Sequence, residues 1–371
     1  MSLRGLVAGS LASGLAAGHP SASAATAVAA EVVHLADHGA VCDGATDDSP
    51  AIARALARAR TLRLPLRIPA RRCAFGDIIR VDGVALTGAG EGSVLHALNW
   101  RRSAIFMSGA GPVVSNLKLT GAPAPSRQAN WESTKITIFG ATDWVVDRVT
   151  IEGAPAASIQ TAKRATRGRI TNNVIRNSLS DSIHMTDGAS HILVENNHIE
   201  FSGDDGIAVV SYRNDGARVN NITARNNVVL NNKWGRNMSV VGGNQVLYEN
   251  NMLHGNLSGG ACLYIAQEKS FKTFSASDVT ATRNTVKNCG GVGTHAGVMI
   301  YSDGEEANNN IKLLYNDIIQ NGQDGIRYFG PQTNIRLEQN RITGVRKPYI
   351  GRTYPGVTIV PYSAGPVGIA R

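Results

Sequence analysis

Apolar and polar residues alternate along most of the chain in very short runs. Ile192-Leu193-Val194-Glu195-Asn196-Asn197 is typical, and an apolar residue returns two positions after an asparagine, as Val174 after Asn172, Ile199 after Asn197 and Val229 after Asn227. A spacing of two predicts strands and argues against a helical repeat. The pattern recurs at Asn173, Asn197, Asn227, Asn251, Asn284, Asn316 and Asn340, at intervals of 24, 30, 24, 33, 32 and 24 residues. A turn and a second short strand follow each asparagine, for example Ser182-Ile183-His184-Met185 and Gly206-Ile207-Ala208-Val209. A unit this small cannot bury its apolar side alone, so stacked coils must share one core. The leucine pattern of a leucine-rich repeat is missing. The expected fold is all-β, a right-handed parallel β-helix of at least seven coils over residues 111–345. The repeating asparagines are expected to take left-handed turn conformations and to hydrogen-bond from coil to coil.

Aligning the second strands on their first inward apolar residue gives Ile183, Ile207, Met238, Leu263, Val298 and Ile326. The next residues then point outward: His184, Ala208, Ser239, Tyr264, Met299 and Arg327. Two positions before the apolar residue stand Asp181, Asp205, Arg236, Ala261, Ala296 and Asp324. Asp181 and Asp205 therefore share a column on adjacent coils, with backbones about 4.8 Å apart. Asp204 adds a third carboxylate. Crowded anions repel, so at least one is expected to keep its proton near neutral pH. A protonated acid beside an ionised one is the machinery of glycoside hydrolysis, and room for a water between them would favour inversion. The competing role for such an Asp is to close an Asp-Gly turn, as Asp324-Gly325 would.

Upstream, Ser49 reads as an N-cap with Pro50 in the first helical position, opening a helix that could cover one end of the stack. The string Asp43-Gly44-Ala45-Thr46-Asp47-Asp48-Ser49-Pro50-Ala51-Ile52, with Leu86-Thr87-Gly88-Ala89-Gly90, resembles the pectate-lyase-like β-helix superfamily. The resemblance extends over most of residues 37–345 and implies the fold; the superfamily holds hydrolases, lyases, epimerases, phage spikes and adhesins. The acids resemble those of the polygalacturonase family of glycoside hydrolases, in which Asn-Thr-Asp on one coil is followed by Asp-Asp on the next. That resemblance implies catalytic roles for Asp181, Asp204 and Asp205, with Asp204 or Asp205 as general acid and the other two activating water. The chain departs from the family at Leu179-Ser180-Asp181, at Gly235-Arg236-Asn237 where the family has Gly-His-Gly, and at Cys262-Leu263-Tyr264 where it has Arg-Ile-Lys. The substrate-gripping half is therefore its own. His184, Arg236, Tyr264, Glu268, Lys269, His295, Tyr301 and Arg327 lie on or near the same face and are the candidate substrate contacts. Arg236 could hold a substrate carboxylate, act as the base of a lyase, or neutralise the acids.

Composition narrows the reading further. Of 29 asparagines, 26 follow residue 170, which places the repeat in the C-terminal part of the chain. The net charge of +9 favours an acidic glycan as partner. Few aromatics and scattered arginines argue against nucleic acid, and no apolar stretch is long enough for a membrane span. No phosphate loop, Cys-x-x-Cys or His-Glu-x-x-His motif is present, so neither metal nor cofactor is expected, apart from calcium in the case of a lyase. Residues 1–30 carry one charge, Arg4, and end near Ala22-Ser23-Ala24, which fits an export leader. Residues 31–110 would form the cap and first coils, and 346–371 a tail or cap. Cys42 and Cys73 could bridge, whereas Cys262 and Cys289 fall at different places in the repeat and are not expected to pair. The expected function is a secreted or periplasmic glycoside hydrolase acting on an anionic polysaccharide. A lyase or epimerase of uronate-containing glycans and a non-catalytic glycan-binding β-helix are the alternatives.

Overall fold

The computed structural model describes residues 31–304, 306–351 and 356–363. The expected leader at 1–30 and the end of the 346–371 tail lie outside them. Within the unit that begins at Val32, the short strands stack in parallel into two sheets, one of 23 strands and one of 11. The smaller sheet carries the candidate site. Its strands are β1 Ile79–Asp82, β2 Ile105–Ser108, β3 Ile136–Phe139, β4 Ile159–Ala162, β5 Ile183–Met185, β6 Ile207–Val210, β7 Met238–Val241, β8 Leu263–Gln267, β9 Val298–Ser302, β10 Ile326–Phe329 and β11 Tyr349–Gly351. The register is the one read from the sequence: Ile183 pairs with Ile207, Ile207 with Met238, Met238 with Leu263, Leu263 with Val298 and Val298 with Ile326. These six residues are at most 1% exposed. Each buried aliphatic side chain of this column stabilises the stack by roughly 1.5–3 kcal/mol, before the entropy cost of ordering it.

The asparagines form a buried ladder. Asn227 Oδ1 accepts from the Asn197 backbone N–H at 3.0 Å and from Asn197 Nδ2 at 2.9 Å. Asn227 Nδ2 donates to the Val194 carbonyl at 2.9 Å. The same contacts join Asn173 to Asn197, Asn251 to Asn284 and Asn316 to Asn340. The expected coil-to-coil bonding is present, but the left-handed conformation belongs to the preceding residue. Asn172, Asn196, Asn226 and Asn250 have φ of 57°, 56°, 55° and 53°. That residue turns the chain, which leaves the next free to point its amide inward.

Helix α1, Ser49–Leu62, buries Ala51, Ile52, Ala55, Leu56 and Ala59 in the same core as Val33, Leu66 and Ile79 at the first coils. Ser49 is not its cap. Asp48 holds that position and turns its carboxylate back to accept the Val41 and Cys42 N–H groups, while the Ser49 hydroxyl accepts from Gly76 and Asp77. Cys42 and Cys73 are bonded, and so, against expectation, are Cys262 and Cys289. The turns of adjacent coils bring the second pair together, the Gly290 N–H donating to the Gly260 carbonyl at 2.7 Å beside it. No helix of the described residues is long and apolar enough to cross a membrane.

Candidate active site

Asp181 and Asp205 each stand two residues before a strand, β5 and β6, and stack as their shared column requires. The Asp205 N–H donates to Asp181 Oδ1 at 3.0 Å, and the Asp204 N–H donates to the Ser180 carbonyl at 3.1 Å. The turn thus fixes all three acids through backbone bonds. Each offers a carboxylate oxygen within 4.8 Å of the other two. Gly235, on the next coil, comes close with φ of 58°; a Cβ there would lie 2.5 Å from Asp204 Oδ1 and 2.6 Å from Asp205 Oδ1. Only glycine lets that coil pass the cluster.

Partners separate the three acids chemically. Asp181 Oδ2 meets His184 Nδ1 at 2.8 Å, with Asp181 buried and His184 partly so. Asp204 Oδ2 accepts from Arg127 Nη1 at 2.5 Å. Asp205 Oδ1 accepts the Arg236 N–H at 2.7 Å, and its Oδ2 lies 2.5 Å from Ser239 Oγ. Burial pushes Asp205 up to about 7; the Arg236 charge opposes this, and the charges of Asp204 and Asp181 add to it. Burial also raises Asp204, helped by the Asp181 charge and opposed by Arg127. Burial works to raise Asp181 as well, but the His184 charge and hydrogen bond, with Arg127, hold it below the usual carboxylate range. Burial alone would lower His184, yet Asp181 keeps it raised. Near neutral pH Asp205 is therefore about half-protonated, beside an ionised Asp181. Ser239 suits both states, since a hydroxyl can donate to a carboxylate or accept from a carboxyl.

Residues 32–261, more than half of the chain, match the profile of the rhamnogalacturonase A/epimerase, pectate lyase-like family. The chain belongs to this family. No curated protein matches it in sequence. Among solved structures it is similar to the Agl-KA catalytic domain, with a TM-score of 0.78 and 18% identity over 90% of this chain and 69% of that one. It is similar to the A-module of the mannuronan C-5 epimerase AlgE4 of Azotobacter vinelandii, at 0.65 and 17% over 88% and 99%. It is also similar to the catalytic unit of a GH87 α-1,3-glucanase from Streptomyces thermodiastaticus, at 0.65 and 16% over 92% and 72%. At these identities the likeness establishes the β-helix fold.

In this member of the family, four of the eight candidate contacts join the acids. His184 binds Asp181. Arg236 Nη1 lies 3.7 Å from Asp205, its Nη2 donates to Glu268 Oε1 at 2.7 Å, and its guanidinium lies 4.0 Å from the centre of the Tyr264 ring. Tyr264 donates to the same Glu268 oxygen at 2.9 Å. Tyr264 points outward as the alternation requires but is 4% exposed, because Arg236 and the outward Ala208, Ala266 and Met299 pack around it. The other four lie apart. His295 Nδ1 accepts the Ala261 N–H, Tyr301 donates to Asp303, and Arg327 donates to Asp324. Lys269 is exposed, and its backbone N–H donates to Asp303.

Asp324 is a control within the same molecule. It occupies the column of Asp205, yet Arg327 and Arg346 both clasp its fully buried carboxylate. Burial would raise it, but the two arginines hold it below the usual range. Its charge is fully paired with arginine side chains, whereas the Asp205 carboxylate has the Arg236 backbone N–H and the Ser239 hydroxyl as its close partners. Three groups near the acids escaped the sequence reading: Arg127, the outward Ser239 as a partner of Asp205, and Tyr212, whose phenol is pushed up to about 12 by burial and by the charge of Asp181. Arg127 sits in a long connection, 77 residues before its partner, where no repeat sets its register. Three clustered carboxylates are also a calcium-type donor set. Here the guanidinium groups of Arg127 and Arg236 supply the positive charge.

Proposed function

We propose that the protein is an exported glycoside hydrolase in which Asp205 protonates the leaving oxygen while ionised Asp181, with Asp204, activates water. The observation that carries this reading is three carboxylates with oxygens within 4.8 Å of one another but with different partners, His184 on Asp181 and Ser239 on Asp205, an arrangement that favours a proton on Asp205 and a charge on Asp181. Such a division is what general acid–base cleavage of a glycosidic bond requires. Oxygens up to 4.8 Å apart can be bridged by one water through two ordinary hydrogen bonds of about 2.8 Å. Similarity to a GH87 α-1,3-glucanase and family membership support carbohydrate chemistry in general. Two disulfides support export, since such bonds persist in oxidising compartments.

The same geometry speaks against elimination and epimerisation, which need a base beside a uronate carboxylate and a cation to neutralise it. Burial works to lower Arg236, but Asp205 and Glu268 hold its proton more firmly than in a free arginine. Burial, then Glu268, raises the Tyr264 phenol far above neutrality. Neither can act as base near pH 7. Arg127 and Arg236 are both paired with acids of the chain, which leaves each with fewer donors and less net charge to offer a substrate carboxylate. This pairing favours a neutral sugar at the cleavage point, although the net charge alone suggests an acidic polymer.

Incubation with neutral and uronate-containing polysaccharides, followed for reducing ends and for the ultraviolet absorbance of unsaturated uronates, tests this. Reducing ends from a neutral polymer, without absorbance and undiminished by a calcium chelator, are the expected result. Rising absorbance that depends on calcium would overturn the hydrolase in favour of a lyase.

A further inference from the structure

We propose that Arg127 is a positioning residue: carried on a strap outside the coils, it holds Asp204 as the second carboxylate that aims the attacking water, and so leaves the proton to Asp205. This role rests on the reading that the three acids hydrolyse a glycosidic bond. The strap shows in the lengths of the turns. Those that enter β4, β5 and β6 are residues 153–158, 177–182 and 201–206, six each, whereas the one that enters β3 is 122–135, fourteen residues.

The extra residues run along the stack. Pro123 and Pro125 fix their own φ and hold the residue before each in extended backbone, so the strap leaves its strand stiff. Its ends are tied at the base: the Ala122 N–H donates to the Ala97 carbonyl at 2.8 Å, and Lys135, 1% exposed, donates through Nζ to the Thr120 carbonyl at 3.0 Å. Midway, the Gln128 N–H donates at 2.9 Å to the Pro155 carbonyl on the next turn. Arg127 then reaches across the turn 177–182 to Asp204. That acid stands three coils beyond the turn that carries Arg127, about 14 Å at the usual strand spacing.

This contact completes a division of partners. Asp181 has the His184 ring at 2.8 Å, and Asp204 has the Arg127 guanidinium at 2.5 Å. Asp205 has a backbone N–H and a hydroxyl, while the Arg236 guanidinium stays 3.7 Å away and donates to Glu268. A carboxyl beside a cation is favoured as the anion, so of Asp204 and Asp205 the proton goes to the one whose close partners are neutral. Arg127 opposes the burial and the Asp181 charge that raise Asp204. The charged groups facing Asp204 are Arg127, Arg236, Asp181, Asp205 and His184, with the Tyr212 phenol neutral beside them. The Arg127 side chain is 48% exposed, so a substitution there leaves the core untouched.

The test uses the full chain. Reducing ends from α-glucan, β-glucan, mannan and polygalacturonate are followed across pH, and carboxyl-carbon NMR follows Asp204 without any sugar. In Arg127→Gln the acid limb of the kcat profile is expected to move to higher pH, because Asp204 without its cation takes up a proton sooner as pH falls. At the optimum kcat should drop about three- to tenfold with KM little changed, and the Asp204 midpoint should rise. Arg127→Lys keeps the charge and should restore both limb and midpoint. A merely structural strap would lower the melting temperature of both variants with limb and midpoint in place, and that result overturns the proposal. So does a rise in KM on polygalacturonate alone, which would make Arg127 a grip for a substrate carboxylate. A limb and midpoint that stay put while the unaltered chain hydrolyses a probe remove the role of Arg127 and keep the hydrolase. An Asp204 midpoint that rises in a chain releasing no reducing ends from any probe upholds the hold on Asp204 and sinks the hydrolase.

Discussion

Asp205→Asn is expected to lower kcat/KM on the polysaccharide by a factor of about 10²–10⁴, the usual contribution of a positioned general acid or base. The fold should survive. Asparagine keeps an oxygen for the Arg236 N–H and can donate to Ser239 Oγ, and these are the two close bonds Asp205 makes. Circular dichroism should be unchanged. The melting temperature should hold or rise, because the buried carboxyl that Arg236 only partly compensates is replaced by a neutral amide. Asp324→Asn is the comparison. It removes the charge that Arg327 and Arg346 share, so its effect should fall on stability and leave kcat/KM on the polysaccharide largely intact. If the pattern were reversed, with Asp205→Asn unfolding the chain, Asp205 would be a turn residue and the catalytic account would fall.

Asn227→Ala should destabilise the protein by about 3–5 kcal/mol. The substitution leaves the Asn197 N–H and the Val194 carbonyl without this side-chain partner in the buried core, while Asn251 Oδ1 loses one of two bonds and keeps the residue-227 backbone N–H. Each orphaned buried group costs about 1–3 kcal/mol, and the vacated space adds to that. Denaturant unfolding of the two proteins measures the difference. Asn226→Ala, one residue away and in the left-handed turn, should cost less, because only backbone strain of about 1–2 kcal/mol is introduced. Equal effects at the two positions would mean that the ladder contributes no more than the turn.

The fold was legible because a solenoid repeats its rules. Period-two alternation fixed the inward column Ile183 to Ile326, and the same column put Asp181 next to Asp205. The ladder was legible as a ladder, but its left-handed residue was misplaced by one, since composition alone cannot tell which of two adjacent asparagines turns and which points in. Sequence spacing also placed Arg236, Tyr264 and Glu268 beside the acids. It could not reveal that Arg236 is already bound to Glu268 and lies 3.7 Å from Asp205, the pairing on which the proposal of a neutral sugar rests. Arg127 and the Cys262–Cys289 bond lie in connections between coils, where the repeat gives no register.

The central claim is that Asp205 holds a proton near neutrality while Asp181 does not. Carboxyl-carbon NMR of Asp-labelled protein, titrated from pH 3 to 9 and assigned with Asp205→Asn, reads this without any substrate. The account predicts an Asp205 midpoint near 7, with Asp181 ionised throughout most of the range. By linkage, Asp205's contribution to stability is full below about pH 4, the unfolded value, and is lost as pH rises through about 7. A midpoint for Asp205 in the ordinary carboxylate range, or the proton found on Asp181 instead, would contradict the account.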